Sequence, residues 1–316
     1  MIPEAFAKVT VEREGATGQA WLDELPGIVE DLLDRWELQR DGDVLHGQVG
    51  VVVPVEGNAV LKVSFPHPGN VHEPDAFEAW AGRGAVKLYR RDDARYAMLL
   101  ERANTSTLAE RMGEMLIPAD AVDSVDAAAI AGDLLRQLTI PAPAGLPRMS
   151  EQADTWVEQL HKDAAELDHR LPAAVVDQAM SVVEEHCREQ PETLIHGDFH
   201  ARNILRADRE PWLVVDPKGY VGDPAYDAAF FLRTRAYYLF VGGLALDELM
   251  PYLDQELERF AEASGIDAEH IRRWTHLVIV QSAFWTRRHG FGRARSGDHL
   301  DEVITLIDKI ATTWVT

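Results

Sequence analysis

The residues best equipped for chemistry lie in one stretch, Leu194-Ile195-His196-Gly197-Asp198-Phe199-His200-Ala201-Arg202-Asn203-Ile204-Leu205, followed by Trp212-Leu213-Val214-Val215-Asp216-Pro217-Lys218. An apolar run predicted as a strand delivers Asp198 at its end, and Asn203 follows five positions later. A second apolar strand delivers Asp216. Two carboxylates and a carboxamide at the exits of adjacent short strands suit an oxygen-lined metal site. Mg²⁺ prefers hard oxygen ligands and keeps several waters, so Asn203 and Asp216 suffice as its protein ligands beside nucleotide phosphates. Phosphoryl transfer would need this inventory together with a separate carboxylate, here Asp198, to face the acceptor hydroxyl. A carboxylate, whose reference pKa is about 4, is in general a feeble base for an alcohol. In a loose phosphoryl-transfer transition state the proton leaves late, so Asp198 chiefly orients the hydroxyl and receives its proton at the end. His196 and His200 flank Asp198, but a zinc-type site wants three or four convergent ligands. Asn203 and Asp216 suit magnesium better, and His196 is expected to brace the loop through hydrogen bonds.

A second group lies upstream. Lys62 sits in the otherwise apolar run Ala59-Val60-Leu61-Lys62-Val63, where a lysine is costly unless its ammonium reaches a partner. Glu73 and Glu78 compete for that role. Glu73, Phe77 and Trp80 fall at i, i+4 and i+7, on the inward face of a predicted helix, and Glu78 lies off that stripe, so Glu73 is chosen. Gly47 and Gly50, in His46-Gly47-Gln48-Val49-Gly50, precede the Val51 strand. They are a poor copy of a glycine-rich phosphate loop, and by themselves equally an ordinary β-turn. Their place just before the Lys62 strand makes them a candidate nucleotide cover.

The elements that must position these residues change character along the chain. Residues 19–38 carry Trp21, Leu25, Ile28, Leu32, Leu33 and Trp36 at helical spacing, with a break expected at Pro26. Short β-branched runs follow from Val44 to Val63 around the turn Glu56-Gly57-Asn58, then a helix near residues 72–81, then a strand pair at Ala85–Arg90 and Tyr96–Glu101. Beyond Ala103 helices are predicted at about 118–139, 151–168, 173–189, 225–242, 246–264, 268–289 and 298–314, interrupted by a β patch at Thr193–His196, Ile204–Arg206 and Trp212–Val215. The fold class is therefore α+β with two lobes. A small β-rich lobe over residues 1–103 is followed by a larger, mainly helical lobe over 104–316, with the ligand crevice between them.

The run HGDFHARN resembles the catalytic loop of aminoglycoside and related small-molecule phosphotransferases, H-G-D-x-H-x-x-N, and is similar in spacing to the protein-kinase loop. Val215-Asp216-Pro217-Lys218 stands where kinases have D-F-G, and Gly222-Asp223-Pro224-Ala225-Tyr226-Asp227 resembles this family's G-D-P-x-x-D. Trp21-Leu22 through Leu25-Pro26, the Lys62 strand, Gly82-Arg83-Gly84-Ala85-Val86-Lys87-Leu88, Leu99-Leu100-Glu101-Arg102 and Asp216-Pro217-Lys218 resemble the streptomycin 6-kinase and hydroxyurea phosphotransferase branch, from about residue 19 to residue 290. One departure is Ala201-Arg202, where Pro-Gly is usual. Arg202 either adds charge near the phosphates or faces solvent.

The resemblance implies a protein-kinase-like fold using ATP and Mg²⁺. Asp198 would be the catalytic carboxylate, Asn203 and Asp216 the metal ligands, and Lys62 the partner of the α/β-phosphates and of Glu73. The hinge backbone from Glu101 to Ala103 would hydrogen-bond the purine. Asp223 and Asp227 are expected to anchor the metal loop to the following helix by capping backbone amides. Lys218 would touch phosphate or substrate, or pair with a nearby carboxylate. The implied acceptor is a small, hydroxylated, cationic molecule, with streptomycin first. The rivals are a metabolic kinase acting on a sugar, amino alcohol or hydroxyurea-like compound, and a nucleotide-binding pseudokinase. The intact set Lys62, Asp198, Asn203 and Asp216 speaks against the second.

Bulk composition bounds the partners. Thirty-one basic against 53 acidic residues give a net charge of −22, which repels a nucleic-acid backbone. It would attract polycations, within the roughly 8–10 Å that screening allows. The most apolar segment, Ala228 to Leu246, is interrupted by Arg233 and Arg235 and reads as a buried helix, not a membrane span. The start Met1-Ile2-Pro3-Glu4 lacks signal-peptide character, and the single Cys187 suits a reducing compartment, so a cytoplasmic protein is expected. For the acceptor pocket, Gln281 and Trp285 stand i, i+4 on a late helix, and Asp247, Glu248, Asp254 and Glu258 offer acidic groups.

Overall fold

The period-two runs of the first hundred residues become strands, and the helical stripe before them becomes their cover. In this computed structural model, which describes residues 2–111, 126–167, 171–241, 244–289 and 300–314, the chain opens with helix α1 (Glu4–Trp36). Strands β1 (Leu45–His46), β2 (Gly50–Val55) and β3 (Ala59–Ser64) follow, then helix α2 (Glu73–Trp80), then β4 (Leu88–Asp92) and β5 (Ala97–Glu101). The five strands form one antiparallel sheet in the order β1-β2-β3-β5-β4.

Alternation along the strands sorts the two faces of this sheet. Val51, Val53, Leu61, Val63, Ala97 and Leu99 pack against Leu22, Leu25, Leu32 and Leu33 of α1. The next residues in register, Lys62 and Met98, point the other way, toward α2. Lys62 is thus aimed at the interlobe side by strand parity.

The break expected at Pro26 is not there. α1 runs through Pro26 and bends instead at Gly15, whose φ of 62° and ψ of −136° no residue with a Cβ adopts cheaply. Pro26 removes one amide donor, a loss tolerated because Leu22, Leu25, Val29 and Leu32 around it are buried against the sheet.

The second lobe comprises α3 (Leu108–Arg111), α4 (Ala127–Leu138), β6 (Ile140–Pro141), α5 (Ala153–Glu166), α6 (Ala173–Val182), β7 (Thr193–Ile195), β8 (Ile204–Arg206), β9 (Trp212–Val214), β10 (Tyr220–Val221), α7 (Pro224–Val241), α8 (Leu246–Ser264), α9 (Ala268–His289) and α10 (Leu300–Thr313). The predicted helix at 118–139 is seen from Ala127 on, and its residues 118–125 lie outside the described residues. Strands β8 and β9 form a hairpin, and β10, β7 and β6 a three-stranded sheet. These short strands hold the loops that carry Asp198, Asn203 and Asp216.

The larger core is built on α4, α7, α8 and α9, but it also takes in Phe77 and Trp80 of α2 and Ala85 and Val86 beyond it. Backbone bonds stitch the lobes at the same place. The Val214 amide donates to the Gly84 carbonyl at 2.9 Å, and the Val86 amide to the Val214 carbonyl at 3.2 Å. Helix α2 therefore lies across the junction, packed on the helical lobe while facing the sheet. Among the described residues no helix is long and apolar enough to cross a membrane.

Candidate active site

The turn between β7 and β8 is shaped by Gly197, with φ of +79°, where a Cβ would come within 2.7 Å of the Tyr220 ring. This conformation brings the amides of His196 and Gly197 onto one carboxylate. The Asp227 Oδ2 accepts from the His196 amide at 2.7 Å and its Oδ1 from the Gly197 amide at 2.8 Å. Asp227 is fully buried, and burial pushes its carboxyl up to about 7 although both amides favour the anion. Its expected role needs correction. Asp227 caps the loop of Asp198, not the loop of Asp216, because the first turn of α7 runs beneath β7. Asp223 accepts from the Ala225 amide at 2.9 Å, as a helix-start cap does, and is also gripped by His270 Nε2 at 2.6 Å and Trp274 Nε1 at 3.1 Å.

His196 joins the two loops. Its Nδ1 accepts from the Asp198 amide at 3.2 Å, which leaves the proton on Nε2 to be donated to the Val215 carbonyl at 2.9 Å. Burial pulls its pKa down to about 4, so the ring is neutral at pH 7 and holds this tautomer. Val215 directly precedes Asp216, and its amide donates to the Asn203 carbonyl at 2.9 Å. Asn203 donates through Nδ2 to the Asp198 carbonyl at 3.0 Å, which fixes the carboxamide and leaves Oδ1 as its acceptor atom. Around the Asp198 carboxylate lie His200 Nε2 at 3.5 Å and Lys218 Nζ at 4.0 Å. Lys218 therefore pairs with a carboxylate, one of the two alternatives the sequence left open.

Lys62 is 7% exposed and bridges Glu73, Nζ to Oε1 at 2.5 Å, and Asp216. Glu78 instead pairs with Arg91 at 3.0 Å, on the outer side of α2. Burial opposes the Lys62 charge, but Asp216 and Glu73 together outweigh it and hold the ammonium above its ordinary range. Glu73 moves up, because its burial exceeds the pull of an ammonium shared with Asp216. Asp216 moves down, burial being overcome by Lys62 and then Lys218. Asp216 also adopts φ of +59°, a left-handed conformation uncommon outside glycine but one that Asp is among the residues best able to adopt.

Asn203 and Asp216 thus supply one amide oxygen and one carboxylate on tethered loops, a donor set that fits a magnesium–nucleotide complex. Among the described residues no three His, Cys, Asp or Glu side chains gather as a metal cluster.

At the hinge, the Glu101 amide donates to the Lys87 carbonyl at 2.8 Å and the Arg102 amide to the Asn58 carbonyl at 2.9 Å. Of the three hinge amides, Ala103's makes no backbone hydrogen bond among the described residues. The Glu101 side chain has a role the sequence did not reveal. It takes Arg209, Nε to Oε1 at 2.9 Å and Nη2 to Oε2 at 2.9 Å, while Arg209 Nη2 also reaches the Ala85 carbonyl at 2.9 Å. Gly47 and Gly50 close the β1–β2 hairpin, the Gly47 amide donating to the Gly50 carbonyl at 3.0 Å. Gly50 itself is a strand residue opposite Ser64.

A cavity of about 540 Å³ opens between α7, α9 and α10, lined by Tyr226, Phe230, Arg233, Tyr237, Gln281 and Trp285 among others. Gln281 and Trp285 are thus both in its wall. Phe230 stacks on His200 with ring centroids 6.4 Å apart, which ties the cavity wall to the loop of Asp198. Arg202, at the unusual position of that loop, lies over the Tyr238 ring at 4.5 Å, and Tyr238 lines the same cavity. Arg233, overlooked in the sequence because it reads as a break in an apolar run, donates to Ser282 Oγ at 3.1 Å and lies 4.0 Å over the Phe230 ring. The acidic candidates fall elsewhere. Asp254 accepts from Arg272 and Trp314, and Asp247, Glu248 and Glu258 are exposed on α8.

A small antiparallel lobe on a helical lobe, with a buried lysine–glutamate pair meeting two carboxylate-bearing loops at the junction, defines a phosphotransferase of protein-kinase-like fold. The model of one protein family, described as aminoglycoside/hydroxyurea antibiotic resistance kinase, matches residues 35–290, and the chain belongs to that family. It is 33% identical over 296 residues to a streptomycin 6-kinase of Streptomyces glaucescens, covering 92% of each chain. It is 31% identical to a hydroxyurea phosphotransferase of Kitasatospora aureofaciens, covering 92% of this chain and 81% of that one. The solved GDP complex of aminoglycoside 2'-phosphotransferase-IIIa superposes with a TM-score of 0.52 at 14% identity, over 91% of this chain and 98% of that one. That likeness carries the fold.

Proposed function

We propose that this kinase transfers the γ-phosphoryl group of ATP to a hydroxyl of an aminoglycoside-type antibiotic, with streptomycin the first acceptor to test. The observation that supports it is the convergence of Lys62 on both Glu73 and Asp216, with Asp216 tied through Val215 and His196 to the loop of Asp198. The lobe of residues 1–103 holds the nucleotide under the Gly47–Gly50 hairpin, with the Ala103 amide toward the purine. The lobe of residues 104–316 holds the acceptor. Asn203 and Asp216 are the ligands for Mg²⁺, which when bound neutralises phosphate charge. Lys62 orients the α/β-phosphates. Asp198 accepts the hydrogen bond of the acceptor hydroxyl, aligns it in line with the phosphorus, and takes the proton as the new P–O bond completes. Lys218 and His200 hold that carboxylate in place. Cytoplasmic ATP supplies the donor.

The cavity beside His200 is the acceptor site. Its volume of about 540 Å³ suits a polyhydroxylated drug better than a molecule as small as hydroxyurea. Among the described residues no carboxylate lines it, and Arg233 is its charged wall residue. A cationic acceptor therefore places rings and hydroxyls against the aromatic wall and keeps its charged groups at the mouth, toward the acidic surface.

Incubation with ATP or GTP and a panel of hydroxylated amines, read by nucleotide consumption and product mass, tests this reading. Streptomycin is expected to gain one phosphoryl group. Asp198→Ala is expected to lower transfer by at least about 100-fold while Mg–ATP affinity stays within about twofold. Turnover in that variant at the wild-type rate removes Asp198 from the reaction.

A further inference from the structure

Helix α2 has Glu73 in its first turn and Trp80 at its end, on one face two turns apart. A helix of eight residues has little stability of its own, so its position is set by what its side chains touch. At one end Glu73 meets Lys62. At the other, the Trp80 indole is 2% exposed and makes two contacts with the helical lobe. Its Nε1–H donates to the Leu138 carbonyl at 2.9 Å, in the last turn of α4, where carbonyls have no partner within their own helix. Its ring lies against His196, centroids 6.2 Å apart and planes 25° from parallel. His196 in turn holds the Asp198 amide and the Val215 carbonyl, and Asp216 beyond Val215 returns to Lys62.

These contacts form a closed circuit: Lys62, Glu73, α2, Trp80, His196, Val215, Asp216 and back to Lys62. We infer that Trp80 is a positioning residue that couples the Lys62–Glu73 pair to the catalytic loop, so that neither half of the site moves without the other. In protein kinases the helix bearing the glutamate is a mobile control element. Here its far end is bonded to α4 and packed on the loop of Asp198, which fixes Glu73 and, through it, Lys62. The inference rests on the kinase reading for the meaning of Lys62 and Asp216, and goes beyond it in assigning Trp80.

The test uses Mg–ATP affinity, which needs no acceptor, so a failed acceptor screen does not blur it. Trp80→Phe keeps a ring over His196 and removes the Nε1–H donor. It is expected to weaken Mg–ATP by about 10-fold, Glu73→Gln by a similar factor, and the double variant no further than the weaker single one, because both open the same circuit. Losses that multiply, or a Trp80→Phe protein that binds Mg–ATP like the wild type, overturn the inference. A second readout is the NMR titration of the His196 ring. Its pKa of about 4 is expected to rise toward 6.5 in Trp80→Leu, as the indole cover is lost. An unmoved His196 counts against the coupling. Leu32→Val, buried in the α1 core away from the site, serves as control for stability loss, with Mg–ATP affinity expected to stay at the wild-type value.

Discussion

Lys62 is a residue that is costly to bury and that the proposed nucleotide site would require. Its ammonium is buried between Glu73 and Asp216, and removing it leaves the carboxylate of Glu73, 2% exposed, without a counter-charge. Lys62→Met is expected to cost about 3 kcal/mol in denaturant unfolding, the usual penalty for breaking a buried pair from one side. Adding Glu73→Leu should return part of that stability while phosphoryl transfer stays lost. Such a split between stability and activity marks a pair kept for chemistry. Lys62 and Glu73 were both legible in the sequence, because a lysine in an apolar strand and a glutamate on an apolar helical stripe each demand a partner. The second partner, Asp216, is 154 positions away from Lys62, and no local pattern announces that contact.

Among the elements, α7 and α9 decide how rigidly the loops are held. Asp227 and Asp223 at the start of α7 face in different directions, the first to the loop of Asp198 and the second to His270 and Trp274 of α9. The hydrogen bond to Asp223 is the main cause that raises His270 above its ordinary 6.5, and His270 helps draw Asp223 below its usual range against the effect of burial. A raised histidine contributes stability that is complete below its unfolded pKa and is lost as pH rises through the folded one. Asp223, being lowered, keeps its contribution until the pH falls through its depressed pKa. The melting-temperature advantage of the wild type over His270→Gln should therefore be greatest in mildly acid solution below pH 6.5 and shrink toward pH 8, corresponding to about 1 kcal/mol. An advantage that grows with pH contradicts the pairing. The motif G-D-P-x-x-D revealed two caps, but which loop Asp227 caps follows only from α7 passing beneath β7.

For the molecule as a whole, the angle between the lobes is held by the stitch of Val214 to Gly84 and Val86 and by Arg209 on Glu101. Burial raises the Glu101 carboxyl, but Arg209 and then the Lys87 amide overcome this and hold it below its ordinary range. Arg209→Ala strands Glu101, which is 7% exposed, and frees the hinge. The expected result is a loss of about 1–3 kcal/mol in stability and a nucleotide KM raised by several-fold, with the acceptor KM little changed. Steady-state kinetics against each substrate separate the two effects. A raised acceptor KM alone would place Arg209 in the wrong lobe contact.

The sequence by itself determined the two-lobe architecture, the need of Lys62 for a buried partner, the choice of Glu73 over Glu78, and the loops that carry Asp198, Asn203 and Asp216. Each of these follows from local periodicity or from spacing within one short segment. Tertiary structure alone decided the bend at Gly15, the Arg209 latch on Glu101, the seat of Trp80 on His196 and α4, and the cavity wall with Arg233. These depend on which distant surfaces meet, and a contact between residues a hundred positions apart leaves no period in the chain that forms it.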